Sequence, residues 1–331
     1  MRTFFLLLGP VFMACVCAAG SGCAGSKSGT GFGDDGGASS SGGTSGGTSG
    51  GTSGGSSGFF GDGGSSSGGS SGGVGCSDAA KLVYVVSDQD ELYSFQPAAL
   101  TFTKIGTLKC SAGGEHPNSM AVDRSGTAWV NYNDGHLFKV STANASCQST
   151  PFVPGQQGYV KFGMAFASDA AGGTAETLYV SGIQDNPNGG PPRGQGVAKI
   201  DLSTFTLTVL GDYSGSLQGS GAELTGNGDG RLFGFFTTAP AHLATIDKSK
   251  GATSAVITLN GVSTGTDWAF SFWGGDFWFY TADTSFNQGD TTNVTRLKAA
   301  TDNSLGVVKS QIGFRIVGAG VSTCAPTTPP K

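Results

Sequence analysis

Short runs of alternating apolar and polar residues fill the last three quarters of the chain and return in a repeating order. Residues 119–141 contain three such runs, separated by polar turns. A period of two over four to eight residues predicts β-strands. Equivalent runs carry aromatic residues at Tyr84, Trp129, Tyr179, Phe233 and Trp278, with spacings of 45, 50, 54 and 45 residues. The core is therefore expected to be a structural repeat.

Two strand-like runs follow each aromatic run, and from the second unit onward another precedes it, which gives four strands per unit. Antiparallel four-stranded units at this period are typical of an all-β fold, the β-propeller. Five blades are expected, with six as the alternative if the long third or fifth unit contains another. The first unit lacks a preceding strand, whereas residues 314–322 are left over at the end of the chain. Placing them in the first blade predicts ring closure by the C-terminal strand.

The N-terminal part of the chain has a different composition from the repeat. Residues 24–75 are almost entirely Gly, Ser and Thr. Such a segment buries too little apolar surface to offset the entropy of ordering, and it is predicted to be a disordered tether. The domains expected are an export signal in residues 1–23, the tether in 24–75, the propeller in 76–325 and a disordered tail in 326–331.

The first 23 residues have the pattern of an export signal. Arg2 precedes an apolar run, and the small residues Gly20, Ser21 and Gly22 precede Cys23. The end of this segment resembles a bacterial lipobox, which implies lipidation of Cys23. Ala24 rather than Asp follows that cysteine, which by the same resemblance favours the outer membrane or cell surface. Cleavage by signal peptidase I is the alternative, and it would give a periplasmic or secreted soluble protein.

Charge and cysteine content narrow the partners and the compartment. The net charge is -5, and no basic patch is available to neutralise phosphates, which argues against nucleic acid. Four cysteines of the core fit a disulfide-permissive compartment. Ring closure places Cys76 beside Cys324, and Cys110 and Cys147 belong to the outer strands of neighbouring blades, so these two disulfides are predicted. A metal site is the competing interpretation, but no CxxC spacing or nearby histidine pair supports it.

Residues that begin the inner strands are predicted to line the mouth of the central channel, where propellers usually bind ligands. The rim residues are Glu115, His116, Asn118, Lys161, Glu223, Asp267 and Arg315. Glu223 and Asp267 come from adjacent blades, and with Asn118 they offer the oxygen ligands that calcium prefers. An ordinary solvated rim is the alternative. Two long polar loops, residues 184–195 and 282–293, are expected at the same face.

One strand pair carries a family resemblance. Residues 118–123, Asn-Ser-Met-Ala-Val-Asp, are followed by Gly126, Trp129 and Val130. This pattern resembles the strand pair of NHL and gluconolactonase-like propellers, which include the senescence-marker-like proteins. In the lactonase-like enzymes a divalent metal on a Glu, an Asn and an Asp polarises the lactone carbonyl and activates water. The resemblance implies Glu223, Asn118 and Asp267 as the counterparts here.

Together these features predict a surface-anchored, non-catalytic binding or scaffold propeller. A lipid anchor would supply its contact with the membrane, and the propeller face would bind a protein or carbohydrate ligand. No cofactor is expected, apart from calcium as an option at the rim. The alternative is a metal-dependent, lactonase-type hydrolase that uses the mouth of the channel.

Overall fold

A computed structural model describes residues 76–185, 188, 193–282 and 291–330. The export signal with Cys23 and the tether in residues 24–75 lie outside these residues, as do most of the two long loops. Within the described part, the helices are the short 3₁₀ turns Ala79–Lys81, Gln156–Gly158 and Gly215–Leu217. None of them is long and apolar enough to cross a membrane.

The described strands form five antiparallel sheets of four strands each, which are the blades of a propeller. Blade 1 contains β1 (Val83–Ser87), β2 (Glu91–Gln96) and β3 (Thr101–Thr107), and blade 2 contains β4 (Pro117–Val122), β5 (Thr127–Tyr132), β6 (Leu137–Ser141) and β7 (Cys147–Ser149). Blade 3 contains β8 (Lys161–Ser168), β9 (Glu176–Gln184), β10 (Arg193–Asp201) and β11 (Thr206–Gly211). Blade 4 contains β12 (Ala222–Gly226), β13 (Leu232–Phe236), β14 (Ala241–Ile246) and β15 (Thr253–Leu259). Blade 5 contains β16 (Asp267–Trp273), β17 (Asp276–Ala282), β18 (Asn293–Leu297) and β19 (Leu305–Lys309), and β20 (Ile316–Val321) is the inner strand of blade 1.

Strands from both ends of the core close the ring. β20 pairs antiparallel with β1, and Val83 lies opposite Val321. The inner strands contact one another in the order β4, β8, β12, β16 and β20, and β20 contacts β4 again. The prediction of five blades closed by the C-terminal strand is confirmed, and six blades are excluded.

The hydrophobic core is divided into five clusters that lie between neighbouring blades. In the cluster between blades 4 and 5, Phe235 contacts Phe270 and Phe279, with ring centroids 5.9 and 4.9 Å apart. In the cluster between blades 2 and 3, Trp129 packs near Phe166. The recurring aromatic residues of the sequence therefore fill the spaces between blades, which explains their regular return.

Both predicted disulfides are present. Cys76 is joined to Cys324, and Cys110 is joined to Cys147. The first bond lies just beyond the C-terminal end of β20, where the Cys324 sulfur is 3.9 Å from the carbonyl oxygen of Arg124. It therefore lies at the end of the inner strands that is opposite to their starts. Beyond it, the carbonyl of Pro326 accepts a hydrogen bond from the Gly274 amide in blade 5.

Candidate functional site

A polar pocket of about 410 Å³ lies at the starts of the inner strands. All five blades contribute to it, because the starts of five inner strands and the turns beside them meet at this end of the ring. Its lining includes the side chains of Asp88, Asn118, Lys161, Glu223, Asp267 and Trp268. We call this cavity the mouth pocket.

Glu223 forms the floor of the mouth pocket. Its side chain lines the pocket, although the residue is only 2% exposed. Carboxyl oxygen Oε2 accepts a hydrogen bond of 2.9 Å from the hydroxyl of Ser119, which is fully buried. Ser119 belongs to blade 2 and Glu223 to blade 4, so this bond spans the channel past the inner strand of blade 3.

A glycine on that intervening strand makes the floor sterically possible. A Cβ atom at Gly163 would lie 2.4 Å from the carbonyl oxygen of Ala222 and 3.1 Å from Oε2 of Glu223. Distances to backbone atoms below 3.0 Å are not relieved by a side-chain rotation. Gly163 therefore allows β8 and β12 to approach closely and leaves room for the Glu223 carboxyl group.

Burial changes the protonation of Glu223. Removal from water raises the pKa of this carboxyl group to about 8, and the Ser119 hydroxyl and the Leu224 amide lower it only in part. Glu223 is consequently neutral at pH 7. A neutral carboxyl group both donates and accepts hydrogen bonds, whereas a carboxylate only accepts them.

The charged side chains around the pocket are mostly paired. Lys161 forms an ion pair with Asp185. Arg315 binds Asp267 through its guanidinium group, and its Nε atom lies 2.6 Å from Oδ2 of the carboxylate. At the edge, Nδ1 of His116 lies 3.0 Å from Oδ2 of Asp90.

The structure brings together most of the rim residues that the sequence predicts. His116, Asn118, Lys161, Glu223 and Asp267 line the mouth pocket. Arg315 is not among the lining residues, but it reaches the pocket through its ion pair with Asp267. Glu115 is exposed and lies outside the pocket, because it belongs to the turn before β4. Its backbone amide donates a hydrogen bond to the carbonyl of Ala112 in this turn.

Sequence reasoning missed several lining residues, among them Asp88, Asn133 and Trp268. Asp88 and Asn133 lie in the turns between the second and third strands of blades 1 and 2. These turns join the same two strands as the long loops do in blades 3 and 5, and their polar side chains were the signal available. Trp268 is the second residue of its inner strand, where the alternation of side chains predicts burial between blades instead.

The residues that the resemblance implies as metal ligands share the pocket, but each has a protein partner. The Asn118 amide nitrogen donates to Oδ1 of Asn131 and to the carbonyl of Phe162. Glu223 is neutral, and Asp267 is held by the cationic Arg315. Among the described residues, no group of three or more His, Cys, Asp or Glu side chains is arranged to hold a metal ion.

Comparisons with known proteins find similarity in structure alone. No protein-family model matches the chain, and no curated protein matches it significantly in sequence. A protein of unknown function from Bacteroides caccae is 10% identical, with a TM-score of 0.41, over 72% of this chain and 97% of its own. XC5397 from Xanthomonas campestris, a gluconolactonase, is 13% identical, with a TM-score of 0.44, over 72% and 74%. The Dos1 propeller is 11% identical, with a TM-score of 0.41, over 75% and 72%. At sequence identities of 10–13%, these similarities bear on the fold and carry no information about function.

Proposed function

We propose that this protein is a non-catalytic binding propeller that is displayed outside the cytoplasm and takes a small hydroxyl-rich ligand, a carbohydrate unit, in the mouth pocket. The observation that carries the proposal is the composition of the pocket. It combines amide side chains, a buried neutral carboxyl group and a tryptophan in one cavity. The volume of about 410 Å³ lies within the range of about 300–1,000 Å³ common for small-molecule sites.

The polar groups of the pocket match the needs of sugar hydroxyl groups. A hydroxyl group donates one hydrogen bond and accepts others, so it is best satisfied where donors and acceptors alternate. Asn133 and Gln89 carry amide groups with both functions, and both residues are exposed at the pocket. The neutral Glu223 adds a hydrogen-bond donor at the floor, whereas an ionised carboxylate would only accept hydrogen bonds.

Trp268 adds the apolar surface that a sugar ring requires. Trp268 is partly exposed and lines the pocket, and its side chain packs against the hydrophobic cluster between blades 4 and 5. A large aromatic side chain offers apolar area at low entropic cost because the packing already holds it. A carbohydrate ring has carbon-bound hydrogens on its faces and hydroxyl groups at its edge, so it can use both kinds of surface.

Display outside the cytoplasm is supported by the two disulfides and by the export pattern of residues 1–23. Disulfides persist in oxidising compartments and are rare in the cytosol. The lipid anchor at Cys23 and the outer-membrane location remain proposals. Cys23→Ala should release the protein from the detergent-soluble membrane fraction, and retention of the variant there would contradict the anchor.

Saturation-transfer NMR of the whole exported chain with D-glucose, D-galactose, D-mannose, N-acetyl-D-glucosamine and L-fucose tests the binding site. At least one sugar should bind, and Trp268→Ala should abolish the signal. Because Trp268 also packs between blades, the exposed Asn133→Ala is the second variant, and we expect about three- to tenfold weaker binding from the lost hydrogen bond. Asn144→Ala, an exposed asparagine of blade 2 outside the pocket, is the matched control. Equal effects of the two asparagine variants, or no binding by any of the five sugars, would refute the proposed site.

Calcium should have little effect on this protein. Millimolar calcium is expected to leave the melting temperature unchanged, because Arg315 already neutralises Asp267 and Glu223 is uncharged. Differential scanning calorimetry with calcium and with a chelator measures this. Calcium-dependent stabilisation that disappears in Asp267→Asn would instead favour the metal-dependent hydrolase.

A further inference from the structure

The mouth pocket contains more negative than positive charge. Among the described residues that line it, Asp88, Asp185 and Asp267 supply three carboxylates beside the neutral Glu223. Lys161 lines the pocket as a cation, and Arg315 reaches it through Asp267. Each cation is already paired, Lys161 with Asp185 and Arg315 with Asp267. Within the described part of the chain, Asp88 has no cationic nitrogen within 4.0 Å.

Three further charged or titratable residues stand near the pocket. Arg193 begins the third strand of blade 3 opposite Gln184, and it is not among the lining residues. His116 faces Asp90, so this pair is neutral when the imidazole is protonated and negative when it is not. Glu223 adds no positive charge in either of its protonation states. Residues 186–187, 189–192 and 283–290, which complete the two long loops, contain no lysine, arginine or histidine.

Asp88 is held in place by the backbone of the closing blade. It follows β1, and its backbone amide donates a hydrogen bond of 3.1 Å to the carbonyl of Arg315. The residue is partly buried and its side chain lines the pocket. Burial is the largest cause of the raised pKa of the Asp88 carboxyl group, and hydrogen bonding with the Gln89 side chain lowers this pKa in part. The smaller charge effects oppose each other, because Asp267 raises the pKa and Arg315 lowers it. A positive charge on a bound ligand would offset the free-energy cost of burying the ionised Asp88 carboxylate.

We propose that the ligand of the mouth pocket carries a primary ammonium group and that Asp88 receives it. An ammonium group offers three hydrogen-bond donors and a compact charge, which suits a single carboxylate at the edge of a cavity. Together with the hydroxyl-binding groups of the pocket, this identifies the ligand class as an amino sugar with a free amine. The inference rests on the proposed carbohydrate site, and it adds the charge that the ligand must carry.

Isothermal titration of the whole exported chain with D-glucosamine, N-acetyl-D-glucosamine and D-glucose at about pH 6 and low ionic strength tests the inference. The three sugars share a ring, and D-glucosamine carries the positive charge. We expect D-glucosamine to bind about fivefold more tightly than D-glucose, as expected for a partly exposed ion pair. Asp88→Asn should remove this preference, so that D-glucosamine and D-glucose bind the variant with affinities within about twofold of each other. Glu115→Gln, a neighbouring exposed acid outside the pocket, should keep the preference.

The possible outcomes separate the two proposals. Equal affinities for D-glucosamine and D-glucose would overturn the ammonium inference and leave the carbohydrate site standing. A preference that survives in Asp88→Asn would overturn the role of Asp88. Ethanolamine is the fourth probe: binding of ethanolamine that depends on Asp88, without binding of any sugar, would support the ammonium site and overturn the carbohydrate ligand. No binding by any of the four probes would overturn both.

Discussion

Replacing Glu223 by Gln should remove most of the pH dependence of stability between about pH 5 and 8. The folded-state pKa of this carboxyl group is about 8, above its ordinary value of 4.5. A raised pKa means that the native state holds a proton that the unfolded state has released. The stabilising contribution of that proton is complete below about pH 4.5 and is lost as the pH rises through about 8.

The expected size of this effect is large for one side chain. A shift from 4.5 to about 8, at about 1.4 kcal/mol per unit, sets an upper limit on the order of 5 kcal/mol on the stability lost by pH 8. Gln carries no titratable proton and has nearly the same shape, so Glu223→Gln should become increasingly more stable than the original protein toward alkaline pH. Urea unfolding at pH 5, 6, 7, 8 and 9 measures the difference.

The exposed Glu115→Gln serves as the control for Glu223→Gln. It removes one carboxyl group from the same end of the ring and should leave the pH profile unchanged. Superimposable profiles for the original protein and Glu223→Gln would show that the floor of the mouth pocket is hydrated and its carboxyl group ionised. In that case the neutral donor in the carbohydrate site would also be lost.

Removing the Cys76–Cys324 disulfide should lower stability more than removing Cys110–Cys147. The two bonds join residues separated by 248 and 37 positions, respectively. In the chain-entropy model a longer closed loop restricts the unfolded chain more, which gives contributions of about 5 and about 4 kcal/mol, respectively. The Cys76→Ser, Cys324→Ser double variant should therefore melt on the order of 10 °C below the original protein.

Scanning calorimetry of both double variants decides whether loop length or location dominates. Double variants are used because a single substitution would leave a free thiol. The Cys110→Ser, Cys147→Ser protein is the matched control, since it also loses one disulfide and keeps the Cys76–Cys324 bond at the ring closure. A larger loss in the control would show that joining blades 1 and 2 matters more than closing the ring.

The fold could be predicted because aromatic residues at equivalent positions of the repeat fill the spaces between neighbouring blades. Trp129 and Trp278 recur because each packs between neighbouring sheets. Closure followed from a spare strand at one end and a missing one at the other. The Cys76–Cys324 disulfide followed from that closure, because it brings the ends of the core together, and Cys110–Cys147 followed from the neighbouring outer strands of blades 1 and 2. The strand bounds shifted by a few residues, for example to Ile316–Val321 for the closing strand.

The site was predictable in position but not in its charge state. The starts of the inner strands identified Glu223, yet nothing in its sequence neighbourhood shows that Ser119 from another blade meets it across the channel. Its neutrality depends on this burial, which only the assembled ring creates. The ion pairs of Lys161 and Arg315 likewise join residues from different elements. The sequence alone therefore could not show which carboxyl group lacks an ion-pair partner.

The position of the Cys76–Cys324 bond also determines how the domain would bear a mechanical load. Force applied to the chain before Cys76 acts on the fold at this residue. It is transmitted along the chain to β1 and, through the disulfide with Cys324, to the end of β20. Because these strands are antiparallel neighbours whose tethered ends lie at the same side, they are drawn together instead of being unzipped from each other. The load is applied at the far end of the ring from the mouth pocket. A chain tethered before Cys76 would therefore present the mouth pocket on the side away from its point of attachment.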